Sequence, residues 1–294
     1  MLRTPTTPPR DGSPERPLRL GFSPCPNDCF VFHALTHDPS LTPLRFEVVL
    51  DDVEALNRLA DADALDVAKV SYHAAAHMLE RWVLLPAGGA LGRGVGPLVV
   101  TREPRDDLSD ALVAVPGGRT TAMLLLAQAF PEVRTTELRY DAIMPAVAAG
   151  TVDAGLIIHE SRFTYRDHGL HAHADLGAWW ERHTGELIPL GAIAVRRDLP
   201  AATQHELARA VHASVDAALR DPAASAGFVA EHAQEMSSEV RSRHIELYVN
   251  AFSLDVGPDG RRAAAALFSA ARAVHGLRDP GLPTFVEWRP STPT

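Results

Sequence analysis

The order of strand-like and helix-like segments predicts an α/β protein of two lobes, each on a mostly parallel sheet, with a double crossover and a central cleft. Two successive units share a strand–loop–helix grammar, the first starting near residue 18 and the second at Ala111. Two apolar linkers, at 95–101 and 188–196, lie between the units and after the second. They assign 17–98 and 193–294 to an outer lobe and 99–192 to an inner lobe, with a disordered tail over 1–16.

In the first unit, Leu18 and Leu20 alternate with Arg19 and Gly21 as a strand does. Pro24 and Pro26 interrupt it, Asn27-Asp28 can cap a helix, and that helix is expected from Cys29 to Leu35. A strand at 45–50, a helix over 53–60, a strand at 65–70 and a helix from Tyr72 to Arg81 follow. The glycine-rich run 87–100 ends in a strand and lacks Gly-Lys-Ser/Thr, so it reads as a crossover and not as a phosphate loop. In the second unit the strand 111–115 runs through Pro116-Gly117-Gly118 into a helix from Thr120 to Phe130. A strand at 137–140, a helix at 143–149 and a strand at 152–158 come next, then the returning strand 187–196. Beyond Gln204 the chain is mainly helical, with Leu207, Val211, Val215 and Leu219 marking one apolar face.

Composition narrows the function. With 46% hydrophobic and 22% charged residues the chain can bury a sizeable core. A net charge of −9 argues against a general nucleic-acid partner. No window approaches the roughly 18 uninterrupted apolar residues of a membrane span, and the first sixteen residues lack the apolar core of about 7–15 that a secretory signal needs. A cytoplasmic protein without a membrane partner is therefore expected, with Cys25 and Cys29 as reduced thiols. No Gly-x-Ser-x-Gly elbow is present.

In open α/β sheets ligands bind beyond the carboxyl ends of strands, against helix starts. Three segments have that form: Ser23–Asp28, Lys69–Tyr72 and Pro116–Thr121. They suit a small carboxylate, with Asn27, Lys69, Ser71, Thr120 and Thr121 as candidate binding residues. Lys69 is the only lysine among 28 basic residues, which singles out a position where a compact ammonium is wanted. His159, at the end of an apolar strand, is the candidate general base. Glu160 would point the other way if the strand continued. His33/His37 and His73/His77 have helical spacing that can hold metal, but neither pair has a third ligand close in sequence. His168, His171 and His173 read as a polar loop, and no metal or cofactor is expected.

Longer strings sharpen this reading. SPCPNDCF at 23–30, KVSYHAAA at 69–76, GGALGRGVGPLVV at 88–100, Arg119-Thr120-Thr121, GLIIHESRFTY at 155–165, DLGAWW at 175–180 and YVNAFSLDVG at 248–257 resemble the 1,4-dihydroxy-6-naphthoate synthase family. The resemblance covers about residues 17–275. It implies a periplasmic-binding-protein-like (type II) fold and a cofactor-free carbon–carbon lyase of the futalosine route to menaquinone. The implied substrate is cyclic dehypoxanthine futalosine, a spirocyclic carboxylate. It also implies His159 as the base, with Lys69, Val70, Ser71, Thr120 and Thr121 in substrate-contacting segments. The family usually has Thr where this chain has Cys29. Arg93 and Arg162 lie in motif segments beside the expected cleft. The fold alone would also suit a small-carboxylate binding or sensing protein, and a related dehydratase acting on chorismate is a third reading.

Overall fold

The computed structural model describes residues 10–233 and 237–288. Its first sheet is built from β1 (Leu18–Phe22), α1 (Pro26–His37), β2 (Phe46–Leu50), α2 (Val53–Asp61), β3 (Val67–Ser71), the short α3 (Tyr72–Ala76), β4 (Trp82–Leu84) and β5 (Ala90–Gly92). The chain then crosses into a second sheet through β6 (Leu98–Thr101), β7 (Leu112–Val115), α4 (Thr121–Ala129), β8 (Arg134–Glu137), α5 (Tyr140–Ala148), β9 (Ala154–Ile157), α6 (Ser161–Thr164) and β10 (His171–Asp175). After α7 (Leu176–Thr184) it returns as β11 (Ile188–Arg196), which lies in the first sheet over its whole length. The remainder is α8 (Ala201–Arg220), α9 (Ala226–His232), α10 (Ser238–Tyr248), α11 (Ala251–Leu254) and α12 (Gly257–His275).

The first sheet has the order β2-β1-β3-β11-β4, with β5 also on β11, and the second β10-β6-β9-β7-β8. Each is parallel only across the three strands of its βαβ units. The crossover strands enter antiparallel, β11 against β3 and β6 against β9. The expectation of mostly parallel sheets is corrected on this point. A strand that arrives by crossing from the other lobe is not tied to the right-handed helical crossover that forces neighbours parallel.

Period-two alternation places the core. Along β11, Ile193 and Val195 join the cluster under α1 and α8, while Ala192 and Ala194 join the cluster under α3 and α12. Along β3, Val67 belongs to the first cluster and Ala68 and Val70 to the second. Lys69 therefore shares the face of Val67 and is directed toward the start of α1.

Several expected elements shift. Helix α1 begins at Pro26, with Cys25 at the N-cap, so Asn27 and Asp28 lie inside the first turn and do not cap it. Proline is favoured there because its missing N–H would be unpaired in any case. Helix α3 stops at Ala76, short of Arg81, and a tight coil delivers Trp82–Leu84 to pair with β11. Strand β8 spans Arg134–Glu137 and not 137–140; it is a largely exposed edge without apolar alternation to reveal it. His171 and His173, read as loop, lie on β10, another edge strand, and α7 was not anticipated at all. Residues 10–16, expected to be disordered, fold onto β2: Gly12 N–H donates to Arg16 O at 3.0 Å and Arg45 N–H to Gly12 O at 2.8 Å. Residues 1–9 of that tail lie outside the described residues. Both cysteines are free and buried.

Candidate active site

The site grows from one buried ion pair. Lys69 Nζ donates to Asp28 Oδ1 at 2.7 Å and to Gly88 O at 3.0 Å, with both charged side chains almost wholly removed from solvent. Asp28 Oδ2 accepts from Ser23 Oγ at 2.7 Å and from Ser23 N–H at 3.3 Å, and Oδ1 also accepts from Asn27 Nδ2 at 2.9 Å. Such saturation is what keeps a charged pair viable inside a protein. The lone lysine therefore answers to a buried carboxylate, and two of its three N–H groups are already committed.

A second chain of bonds runs from Asn27 away from that pair. His244 Nε2 lies 2.8 Å from Asn27 Oδ1. Because Asn27 Nδ2 donates to Asp28, its Oδ1 is the acceptor and His244 carries its proton on Nε2. Glu160 Oε2 lies 3.6 Å from His244 Nδ1. Burial, followed by the neighbouring His159, holds His244 well below the ordinary histidine range, so it is neutral and this approach is not an ion pair.

His159 ends the apolar run of β9 and turns the chain with φ of 55°, in the left-handed region that non-glycine residues seldom adopt. That turn breaks the strand alternation. Glu160 therefore does not point away from the site but is buried beneath it, beside His244. The His159 ring stacks over His244 with centroids 6.2 Å apart and meets Tyr140 edge-on at 5.3 Å. Neither His159 ring nitrogen has a hydrogen-bond partner among the described residues. Burial pushes its pKa down to about 4, opposed by Asp28 and Asp52 and helped by Lys69. The ring is therefore neutral at pH 7, with carboxylates near enough to favour its protonated form.

Thr120 caps α4: its Oγ1 accepts from Met123 N–H at 3.2 Å and donates to Gly117 O at 2.9 Å. Thr121 Oγ1 donates to Leu190 O at 3.0 Å and accepts from His73 N–H at 3.3 Å. Both hydroxyl protons are thus engaged within the protein. What this helix start has left to offer is backbone, since the N–H groups of its first residues, Thr121 and Ala122, have no acceptor inside the helix. Ser71 Oγ accepts from Asn57 Nδ2 at 3.2 Å, which leaves its own proton to give.

These residues meet. A cleft of about 670 Å³, the solvent-open space at its mouth included, is lined by Asn27, Lys69, Val70, Ser71, Thr120, Thr121 and His159, together with Ser23, Asp28, Tyr248 and apolar groups from both lobes. All seven residues singled out from the sequence lie on this one wall-to-wall surface. Its two sides also touch beyond the cleft. Glu54 on α2 accepts from Arg119 N–H at 3.2 Å, and Arg58 pairs with Glu137. His244 was not found by sequence reasoning, and Glu160 was set aside there as facing away. His244 sits on a helix with no apolar pattern around it, and only the fold brings it to Asn27, 217 residues away. Arg93 and Arg162 do not line the cleft. Arg93 Nη2 donates to Gly185 O at 3.0 Å, while Arg162 bonds Gly96 O and Asp175, so both tie the crossover to α7. Cys29 is fully buried, with Sγ 4.0 Å from Ser23 O, and reaches the cleft only through Ser23.

Residues 18–273 match a family described as menaquinone biosynthesis. The chain belongs to that family. A 1,4-dihydroxy-6-naphthoate synthase of Thermus thermophilus is 54% identical over 273 residues, covering 92% of this chain and 99% of the relative. A protein of the same name from Streptomyces coelicolor is 49% identical over 262 residues, 87% and 93% of the two chains. Among solved structures, an Archaeoglobus fulgidus protein superposes with a TM-score of 0.84 at 35% identity, over 88% of this chain and 98% of that one. The alkanesulfonate-binding protein SsuA of Xanthomonas axonopodis superposes at 0.62 with 16% identity, over 87% and 93%. That last likeness shows the fold, which this menaquinone-biosynthesis family shares with periplasmic binding proteins. Among the described residues no helix is long and apolar enough to cross a membrane.

Proposed function

We propose that this protein is a 1,4-dihydroxy-6-naphthoate synthase, a carbon–carbon lyase that opens cyclic dehypoxanthine futalosine in the cytoplasm without a cofactor. The observation that carries this reading is the 54% identity to a relative of that name over 99% of the relative's length. The cleft supports it chemically. His159, neutral at pH 7, takes the carbonyl-activated proton that starts ring opening, and aromatisation of the product drives the step. Asp28 favours the imidazolium that results. The substrate carboxylate is met by the free N–H groups at the start of α4, with Lys69, Ser71 and Asn27 on the opposite wall. Apolar Val53, Val70, Val95 and Ile158 receive the ring system.

The test is incubation of purified protein with cyclic dehypoxanthine futalosine, following the naphthoate by absorbance and mass. His159→Asn is the informative variant, because asparagine tolerates the positive φ that alanine would resist. Turnover is expected to fall by at least about 100-fold with the fold intact. Wild-type-like turnover in that variant removes His159 as the base. Ligand recovered unchanged from the wild type would point instead to a binding or sensing protein.

A further inference from the structure

His73, on α3, has its Nε2 only 2.9 Å from Nε2 of His275, at the end of α12, and 3.4 Å from Nε2 of His77. The three rings form a near-equilateral triangle with centroids 4.9, 5.0 and 5.2 Å apart. His73 is fully buried, His77 half-buried and His275 exposed, so the triangle has a closed floor and an open mouth. The third histidine is 202 residues from His73, which is why the pair at 73 and 77 showed no third ligand close in sequence.

From this geometry we infer a divalent transition-metal site, of the zinc class, held by the Nε2 atoms of His73, His77 and His275 with its fourth position open to solvent. Tautomers support it. His73 Nδ1 lies 3.0 Å from Thr120 O; a carbonyl only accepts, so Nδ1 carries the proton and Nε2 presents a lone pair to its neighbours. A metal-bound histidine whose other nitrogen donates to a backbone carbonyl is the usual outer-shell arrangement. Tetrahedral zinc with Zn–N bonds of about 2.0–2.1 Å needs ligand nitrogens about 3.3 Å apart. The His73–His77 separation already has that value, the His73–His275 separation opens by about half an ångström as the metal replaces a shared proton, and the third pair lies within 4.8 Å. Arg119 opposes a cation here by its charge, and Asp61, 4.0 Å from its guanidinium, offsets part of that.

The site is distinct from the cleft but stands directly behind its wall. The residue that carries the buried ligand also bonds Thr120 O and Thr121 Oγ1. A bound ion would therefore clamp the end of α12 to α3 and to the start of α4. The inference does not depend on the reaction proposed above.

Chelator-stripped protein should be titrated with Zn²⁺ in competition with a chromophoric chelator, and with Co²⁺ by visible spectroscopy. One Zn²⁺ per chain, tetrahedral-intensity Co²⁺ bands and a metal-dependent rise in Tm are expected. His275→Ala, an exposed change, and His77→Ala should each weaken binding by more than about 100-fold, beyond the loss typical of an outer-shell partner. Both should abolish the Tm response, while His33→Ala on the separate His33/His37 pair leaves everything unchanged. The inference fails if no ion is retained against the chelator, or if binding survives His275→Ala and His77→Ala. In either case the triangle is a hydrogen-bonded histidine cluster only.

Discussion

Lys69 and Asp28 face one another where water hardly reaches, and each is usable only because the other is present. Removing one partner strands a buried charge, which typically costs about 3–5 kcal/mol. Lys69→Met should therefore lower stability by about that amount in urea unfolding. Lys69→Met combined with Asp28→Asn should recover part of the loss, since no charge is left unpaired. A single variant within about 1 kcal/mol of wild type would mean the pair is solvated in solution. At the same scale, Cys29 bears on the cleft only through packing beneath Ser23, because its own side chain does not line it.

The glycine-rich crossover and α7 act together as an element. A Cβ at Gly96 would sit 2.2 Å from Gly177 Cα, and one at Gly177 would sit 2.6 Å from Gly96 Cα. The backbones touch because Arg162 and the Asp175 cap draw the first turn of α7 onto the linker. The close approach at Gly96 is thus to another backbone. Gly177→Ala forces two rigid segments apart, and overpacking of this kind costs about 1–3 kcal/mol. The urea midpoint should fall accordingly, whereas Gly185→Ser, with nothing within 4 Å but φ of 72°, tests backbone strain alone. If Gly177→Ala were as stable as wild type, the crossover would have room that the structure does not show.

Across the whole molecule, pH dependence follows from histidines folded in as neutral rings. His159 is held at about 4 against an ordinary 6.5, by burial first, and His244 lies well below 6.5 for the same leading reason. As pH falls through 6.5 the unfolded chain takes up protons that the folded chain refuses, so unfolding gains. Their contribution is complete above about pH 6.5 and lost toward about pH 4. Glu54, raised by burial, works in the opposite sense, but only in the carboxylate range. The urea midpoint should decline steadily from pH 7 to about 4.5, and His159→Asn should flatten the slope. A midpoint constant over that span would show that these histidines titrate alike in both states.

Local pattern was enough to place the cores of β1, β3, β7 and β9, the start of α4 and the three segments that meet at the cleft. Each depends on a period of two or 3.6, or on a cap, within a few neighbouring residues. The edge strands β8 and β10 escaped because their exposed Arg, Thr and His residues carry no apolar alternation. Neither the carboxylate opposite Lys69, nor His244 behind Asn27, nor His275 beside His73 could be read at all. Those pairings span 41, 217 and 202 residues, and contacts made by folding leave no periodic trace in the chain. The sequence by itself thus determined which segments face the cleft. Only the tertiary structure decided which hydroxyls and charges there are already engaged, because a buried polar group is satisfied by whatever the fold brings to it.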